Sequence, residues 1–254
     1  MAEENKLFSF QGYVYIGERG SAGKIINPVW VGDATMQVAM EVQTAEHNEN
    51  FSGQRLPYGL MQTSKKSTVT LTLWEMRSQV LALALYANRV STTAGTVTGE
   101  VMDAGLTTGQ RTVLEHPLVS NLVITDSDSS PSTLAEGVNY SLENPTGGLV
   151  QIIDPGSFVQ PFKAAYSYAG VEDTLIFTST PPERWVQMVG VNTLNDEPVI
   201  VDLYRVKFNP ASQLPLHNEE FGSFELTGSA LADALLATNA NLGGFGRVRL
   251  PSEV

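Results

Sequence analysis

Residues 36–73 read MQVAMEVQTAEHNENFSGQRLPYGLMQTSKKSTVTLTL, and both ends of this stretch alternate with a period of two. Met36, Val38, Met40 and Val42 alternate with Gln37, Ala39, Glu41 and Gln43, and Val69, Leu71 and Leu73 alternate with Thr68, Thr70 and Thr72. Successive side chains of an extended chain point to opposite faces. Each segment therefore reads as a strand with one apolar face and one polar, mostly uncharged face. Between the two strands, His47–Lys66 reads as a long polar arm. Hairpin loops usually take about two to five residues, so a loop of this length is either functional or disordered. Its middle carries Phe51, Leu56, Pro57, Tyr58, Leu60 and Met61, more apolar groups than a solvated tip needs.

Outward from this stretch, Gly12–Ile16 reads as an earlier strand. A helix is expected over Trp74–Ala87, where Leu73, Met76, Val80, Leu83 and Ala87 recur at helical spacing and Leu81 and Leu85 widen the face. Asn88 is placed to end it in the left-handed conformation. From about Gly99 to Ser179 the chain becomes rich in Ser, Thr and Gly. Short strands are expected at Leu122–Thr125, Val138–Leu142, Leu149–Ile153, Phe162–Tyr168 and Leu175–Thr178. Turn clusters at Ser127–Pro131, Asn144–Gly148 and Asp154–Ser157 separate them. This pattern suggests a small β-sandwich. Long strands return after Pro182, with a hairpin of Arg184–Val191 and Val199–Phe208, a strand at Gly222–Thr227 and a short helix at Ala230–Thr238. The segment Gly243–Arg247 reads as a flexible glycine-rich tail. The expected architecture is mainly β: a core of residues 1–97 and 182–254, with a β module inserted at 98–181.

The chain of 254 residues is long enough to bury a substantial core. Its 27 acids against 15 bases give a net charge of −12, which argues against tight phosphate binding and against docking on anionic membranes. The stretch Thr112–Phe162 has six acids and no base, so the remainder carries 21 acids against 15 bases, a net of −6. There is no cysteine, which excludes disulfides and thiolate chemistry. The first residues have neither the basic nor the apolar region of a signal peptide, and no apolar run approaches the roughly 20 residues that span a bilayer. A protein made in the cytoplasm is expected.

Catalytic and metal motifs are searched without success. Gly20–Lys24 (GSAGK) imitates a phosphate loop, but Ile25 stands where Ser or Thr must hold magnesium. Gly244-Phe245-Gly246 lacks the third glycine of a dinucleotide fingerprint. His47, His116 and His217 have no metal-ligand spacing. Asp126 and Asp128 lack the ligand series of a calcium loop, and a solvated turn is the better reading. No pair of carboxylates is marked out for glycoside hydrolysis. The sequence points away from an enzyme, and no cofactor is expected. An arm with apolar residues and strands with polar, uncharged faces suit a subunit that extends its sheets across protomers. A monomeric β domain with a mobile loop would read the same on periodicity alone.

The stretch Asn48–Tyr86, NENFSGQRLPYGLMQTSKKSTVTLTLWEMRSQVLALALY, resembles the arm, strand and helix of bacteriophage tail tube (major tail) proteins. Gly137–Leu142 (GVNYSL) followed by Gly147–Ile152 (GGLVQI) is similar to a hairpin of inserted modules in tail proteins. Pro198–Asn209 (PVIVDLYRVKFN) and Phe221–Ala230 (FGSFELTGSA) carry the likeness into the last third. The resemblance implies a β-sandwich or half-barrel core with a flanking helix. It implies hexameric rings stacked into a hollow tube in the virion, with DNA passing through the lumen without specific binding. The implied partners are further copies, a tape-measure protein, a tail terminator and distal-tail or baseplate proteins. The arm would make the inter-subunit contact through Phe51, Arg55, Leu56, Tyr58, Leu60 and Met61. Gln37, Glu41, Thr68, Thr70 and Thr72 are the candidate lumen face, and the inserted module would decorate the exterior. The alternative is a baseplate, distal-tail or host-surface-binding component.

Overall fold

The computed structural model describes residues 7–20, 24–237 and 242–251. In chain order its elements are β1 (Phe10–Arg19), β2 (Ile25–Trp30), β3 (Ala34–Asn48), β4 (Pro57–Leu73), α1 (Ser78–Ala84), β5 (Asn88–Thr92), β6 (Gly95–Val101), β7 (Arg111–Val113) and β8 (Val119–Thr125). They continue with β9 (Tyr140–Asn144), β10 (Leu149–Ile152), β11 (Lys163–Tyr168), β12 (Val171–Leu175), β13 (Arg184–Asn192), β14 (Pro198–Phe208), β15 (Phe224–Ala230), α2 (Ala234–Ala237) and β16 (Gly246–Arg249). The protein is mainly β, with antiparallel sheets and two short helices.

The chain divides into two compact units. One comprises residues through Asn88 together with those from Thr174 onward, and the other is Arg89–Asp173. The sequence places these boundaries near 97 and 182 instead. The strands that carry the two crossings, β5 and β12, pair with one another, and neither stands out in the sequence because each is short and polar.

The first unit is built on one eight-stranded sheet, ordered β2-β1-β13-β14-β15-β4-β3, with β16 added to β14. Period-two alternation gives this sheet an apolar face. Val14 and Ile16 of β1, Val69, Leu71 and Leu73 of β4, Val186 of β13, Val206 and Phe208 of β14, and Phe224 and Leu226 of β15 share one buried cluster. Val80, Leu83 and Ala84 of α1 pack on it, and so do Ala211 and Leu214 of the β14–β15 connection.

α1 spans seven residues, not the expected Trp74–Ala87. Tertiary contacts hold 74–77 out of the helix. Trp74 N donates to Asp33 O, Asp33 N donates to a Glu75 carboxylate oxygen, and Arg77 bonds Glu75 and lies 4.3 Å over the Trp30 ring. The helix ends at Tyr86, not Asn88. Tyr86 adopts φ 51°, its amide donates to Leu83 O, and the Ala87 amide donates to Ala82 O. This is the paired hydrogen-bond pattern that closes a helix, with a tyrosine in the position usually given to glycine. The Tyr86 hydroxyl donates to Phe208 O at 2.9 Å, an anchor that glycine would lack.

Several strands also differ from expectation. The segment Gly243–Arg247 is not a flexible tail, because β16 pairs with Ile200–Leu203 of β14. Gly246 is there for close approach: a Cβ at that position would stand 2.3 Å from Asp202 O. β9 and β12 are displaced from the expected Val138–Leu142 and Leu175–Thr178, and α2 is a single turn within the expected Ala230–Thr238. Of the phosphate-loop imitation at Gly20–Lys24, Ser21, Ala22 and Gly23 lie outside the described residues.

The second unit has two three-stranded sheets, β7-β10-β9 and β6-β11-β8. They share one core that includes Leu122, Ile124, Tyr140, Val150, Ile152, Phe162, Ala164 and Tyr166. The Tyr140 hydroxyl donates to Leu122 O and ties one sheet to the other. Asp126 and Asp128 lie in a turn in which the Asp126 carboxylate accepts from Ser132 N.

Leu71 has no exposed surface, whereas Leu60 on the same strand is 71% exposed. Leu71→Ala is expected to cost about 2–5 kcal/mol of stability. Leu60→Ala is expected to change it by less than about 0.5 kcal/mol. Urea unfolding of the two variants checks the contrast.

Candidate functional site

The expected loop His47–Lys66 is a β-hairpin. β3 and β4 remain in antiparallel register from Ala34↔Leu73 outward to Asn48↔Pro57, with irregularities at Gln43/Thr44 and His47/Asn48. The shift at Gln43/Thr44 leaves Thr63 without a partner in the ladder, and the Thr63 hydroxyl donates to Gln43 O. The true connection is residues 49–56. The arm is thus paired within the chain, in place of the mobile loop that the sequence suggested.

Glu49 shapes the tip. The residue is buried, and one carboxylate oxygen accepts from the Phe51 and Ser52 amides, each at 2.8 Å. The other accepts from the Ser52 hydroxyl and the Leu56 amide, and the Glu49 amide donates to Leu56 O. Gly53 and Arg55 turn the chain with φ of 80° and 53°. The Ser52 hydroxyl foremost, followed by these amides, holds the Glu49 carboxyl down to about 2 from its ordinary 4.5.

Register assigns the expected arm residues to faces. Through Val42↔Lys65, Thr44↔Gln62 and Glu46↔Leu60, the side of the hairpin that carries Leu60 continues the buried side of Val38 and Val69, and Tyr58, two residues from Leu60, is the residue left without a ladder partner at the His47/Asn48 irregularity. Met40 and Val42 belong to the same side. The sequence showed their alternation but not that this side runs beyond the core. Phe51 packs edge-on against Tyr58, with ring centroids 5.8 Å apart. Leu56 and Arg55 are exposed at the tip. Met61 is separated from these residues: it pairs with Ala45 on the opposite face. Phe51, Tyr58, Leu60 and Met40 are all at least 70% exposed, so this side carries two uncovered apolar groups, Met40 with Val42 at the base and Leu60 with Tyr58 and Phe51 toward the tip, separated by Thr44, Gln62, Glu46 and Lys65.

The candidate lumen residues do share a face. Thr72, Thr70 and Thr68 stand opposite Thr35, Gln37 and Ala39 on one side and Glu225, Thr227 and Ser229 on the other, and Glu41 stands opposite Lys66. The β15 members of this row were not among the expected residues although Phe224–Ala230 alternates with the same period, because the sequence does not show that β15 pairs with β4. β3 also ends the sheet order, so its outer backbone edge has no partner strand among the described residues. An uncovered edge of this length is a template for pairing with another chain.

The histidines do not converge. His47 lies in β3, and His116 stacks on Tyr168 at 3.9 Å in the second unit. Among the described residues no group of three or more His, Asp and Glu is placed to hold a metal, and no helix is long and apolar enough to cross a membrane.

The model of a family described as "Protein of unknown function UCP028589" matches residues 7–249. The chain belongs to that family. No curated protein matches it.

Because the Glu49 pKa is lowered on folding, its stabilisation of the tip is fully present above pH 4.5 and is lost as the pH falls toward about 2. Hydrogen exchange of the Phe51, Ser52 and Leu56 amides should accelerate over that window relative to amides in the core strands. Glu49→Gln should remove the pH dependence.

Proposed function

We propose that this member of the family is a structural subunit that assembles with copies of itself, and specifically a bacteriophage tail tube protein. The observation that carries the reading is the set of large apolar side chains left uncovered along one side of the β3–β4 hairpin, Met40 and Val42 at its base and Phe51, Tyr58 and Leu60 toward its tip. A lone monomer gains nothing from Met40, Tyr58 and Leu60 in water. A second copy laid on that side buries them, at about 25 cal/mol per Å² of apolar surface removed from solvent. The open edge of β3 supports the same reading, since a sheet closed through symmetry abolishes its edges.

The tail tube assignment adds the resemblance of Asn48–Tyr86 and the character of the opposite face. In the proposed tube this face lines the lumen. Its Thr, Ser and Gln side chains, with Glu41 opposite Lys66 and Glu225 opposite Thr72, offer no cluster of cations for phosphate, so DNA would slide past without release of counterions. The proposed partners are further copies in hexameric rings, a tape-measure protein and the proteins that end the tube, all within the virion. Nothing in this reading calls for catalysis or a cofactor.

Tyr58→Asp combined with Leu60→Asp places two charges on the uncovered side and leaves the core untouched. The variant is expected to fold, with unchanged circular dichroism and thermal midpoint, and to form no tubes at concentrations where the wild type does. Electron microscopy checks this, and tubes of normal diameter from the variant would overturn the reading.

A further inference from the structure

A groove of about 340 Å³ opens on the apolar side of the first unit, between the base of the hairpin and the β14–β16 pair. Val38, Met40 and Val42 form one wall, and Val201, Leu203 and Val248 form the other. Lys65, Lys66 and Glu41 also line it. Register puts Lys65 on the apolar side, opposite Val42, whereas Lys66 stands opposite Glu41 on the other face. Neither lysine has an ion pair among the described residues. The arginines that do have carboxylate partners at hand include Arg247, which bonds Asp202 at 3.0 Å. This volume is at the low end of the roughly 300–1,000 Å³ of small-molecule pockets, so it suits one or two side chains and not a folded element.

The same unit displays a segment of matching chemistry. The connection between β14 and β15 starts against the core, where the Ala211 amide donates to Ala84 O and Leu214 packs on the cluster. It then runs outward as Pro215-Leu216-His217-Asn218-Glu219-Glu220-Phe221. Phe221 is 99% exposed and Leu216 78%. Glu219 and Glu220 are exposed and have no ion pair among the described residues. A fully exposed phenylalanine beside two carboxylates is complementary to an apolar groove beside a lysine that no carboxylate within the described residues pairs. Within one chain Phe221 does not reach the groove, since its surface is open.

We infer that this loop docks in the groove of a second copy, with Phe221 between the two apolar walls and Glu219 and Glu220 against Lys65. Each copy then both gives a loop and receives one. Such a head-to-tail contact closes into a ring or continues as a filament. Aromatic anchors in a pocket carry the affinity of contacts of this kind, and the charged rim sets partner and register. The inference rests on the reading that copies assemble, and names a contact different from that of Tyr58 and Leu60.

The absence of native cysteine allows a direct test. Isotope-labelled Val42→Cys protein is mixed with unlabelled Gly222→Cys protein, which keeps Phe221, under assembly conditions and oxidised, and the mixed disulfide is quantified by mass spectrometry. The expected yield is roughly tenfold above that of a control pair with Val113→Cys, an exposed position of the second unit. In parallel, Glu219→Lys with Glu220→Lys, and Lys65→Glu, should each weaken association by about tenfold or more, and the three substitutions together should restore it. A cross-link no better than the control while sedimentation shows associated wild-type copies would overturn the docking and leave assembly standing. The same holds if charge reversal has no effect. Failure of the wild type to associate at all would overturn both.

Discussion

The register of the β3–β4 ladder is the constraint on which the rest of this structure depends. Fifteen paired positions run from Ala34↔Leu73 to Asn48↔Pro57. Strand side chains alternate with a period of two, so the face chosen at the base is carried to the tip unless a bulge resets it. The base is chosen by burial: Val69, Leu71 and Leu73 have no exposed surface. The irregularity at Gln43/Thr44 takes its extra residue, Thr63, from β4 and not from β3. The β3 alternation therefore stays in phase, and Leu60 remains on the side of Val38 and Val69. A slip of one residue would exchange the apolar side with the Thr and Gln row. The core, the uncovered apolar groups and the polar face are thus one decision made once.

Much of this was legible in the residues, and what was not has identifiable causes. The clean alternation of Met36–Val42 and Ser67–Leu73 gave both strands and their faces. It failed to show that the strands continue, because Gly59, Pro57 and the unpaired Thr63 interrupt the pattern where the ladder persists. Helical spacing over Trp74–Ala87 located α1 but overran it at both ends. Arg77 and Glu75 are engaged by tertiary contacts, and Tyr86 closes the helix through the Phe208 carbonyl, an interaction 122 residues away. Glycines near Gly243–Arg247 suggested freedom, whereas Gly246 serves a contact too close for any side chain. Of the expected arm residues, Phe51, Tyr58 and Leu60 come together. Met61 does not, because only the register, and not the composition, decides its face.

Asp202 shows how a buried charge supports this arrangement. Its carboxylate is almost wholly buried and accepts from Gln187 of β13 and from Arg247 and Arg249 of β16. Desolvating a carboxylate is costly, and such a site is weak as a source of stability but strong as a determinant of pairing. With Arg247 opposite Asp202 and Arg249 opposite Ile200, a shift of β16 by one residue would turn both guanidiniums to the wrong face and leave the charge unpaired. The clamp therefore fixes the register of a strand only four residues long, which hydrogen bonding alone would hold poorly.

The same economy shapes the charge distribution. Arg19, Arg77, Arg89, Arg111, Arg205, Arg247 and Arg249 each pair with a carboxylate inside the chain. Their charges cancel locally and present little to a partner. In a chain of net charge −12, the cations without an ion pair among the described residues are Lys24, Arg55, Lys65, Lys66, Lys163, Arg184 and Lys207, and they are dispersed except for Lys65 and Lys66, which face opposite sides of the hairpin. Long-range attraction of another acidic copy would be repulsive on average, and salt at physiological strength screens it within roughly 8 Å. Recognition between such copies must therefore be short-ranged, made by apolar contact together with a few opposed charges at the point of docking. That condition favours association through defined surfaces and disfavours aggregation of free chains. It also distinguishes an assembly that waits for correct geometry from one that proceeds by charge alone.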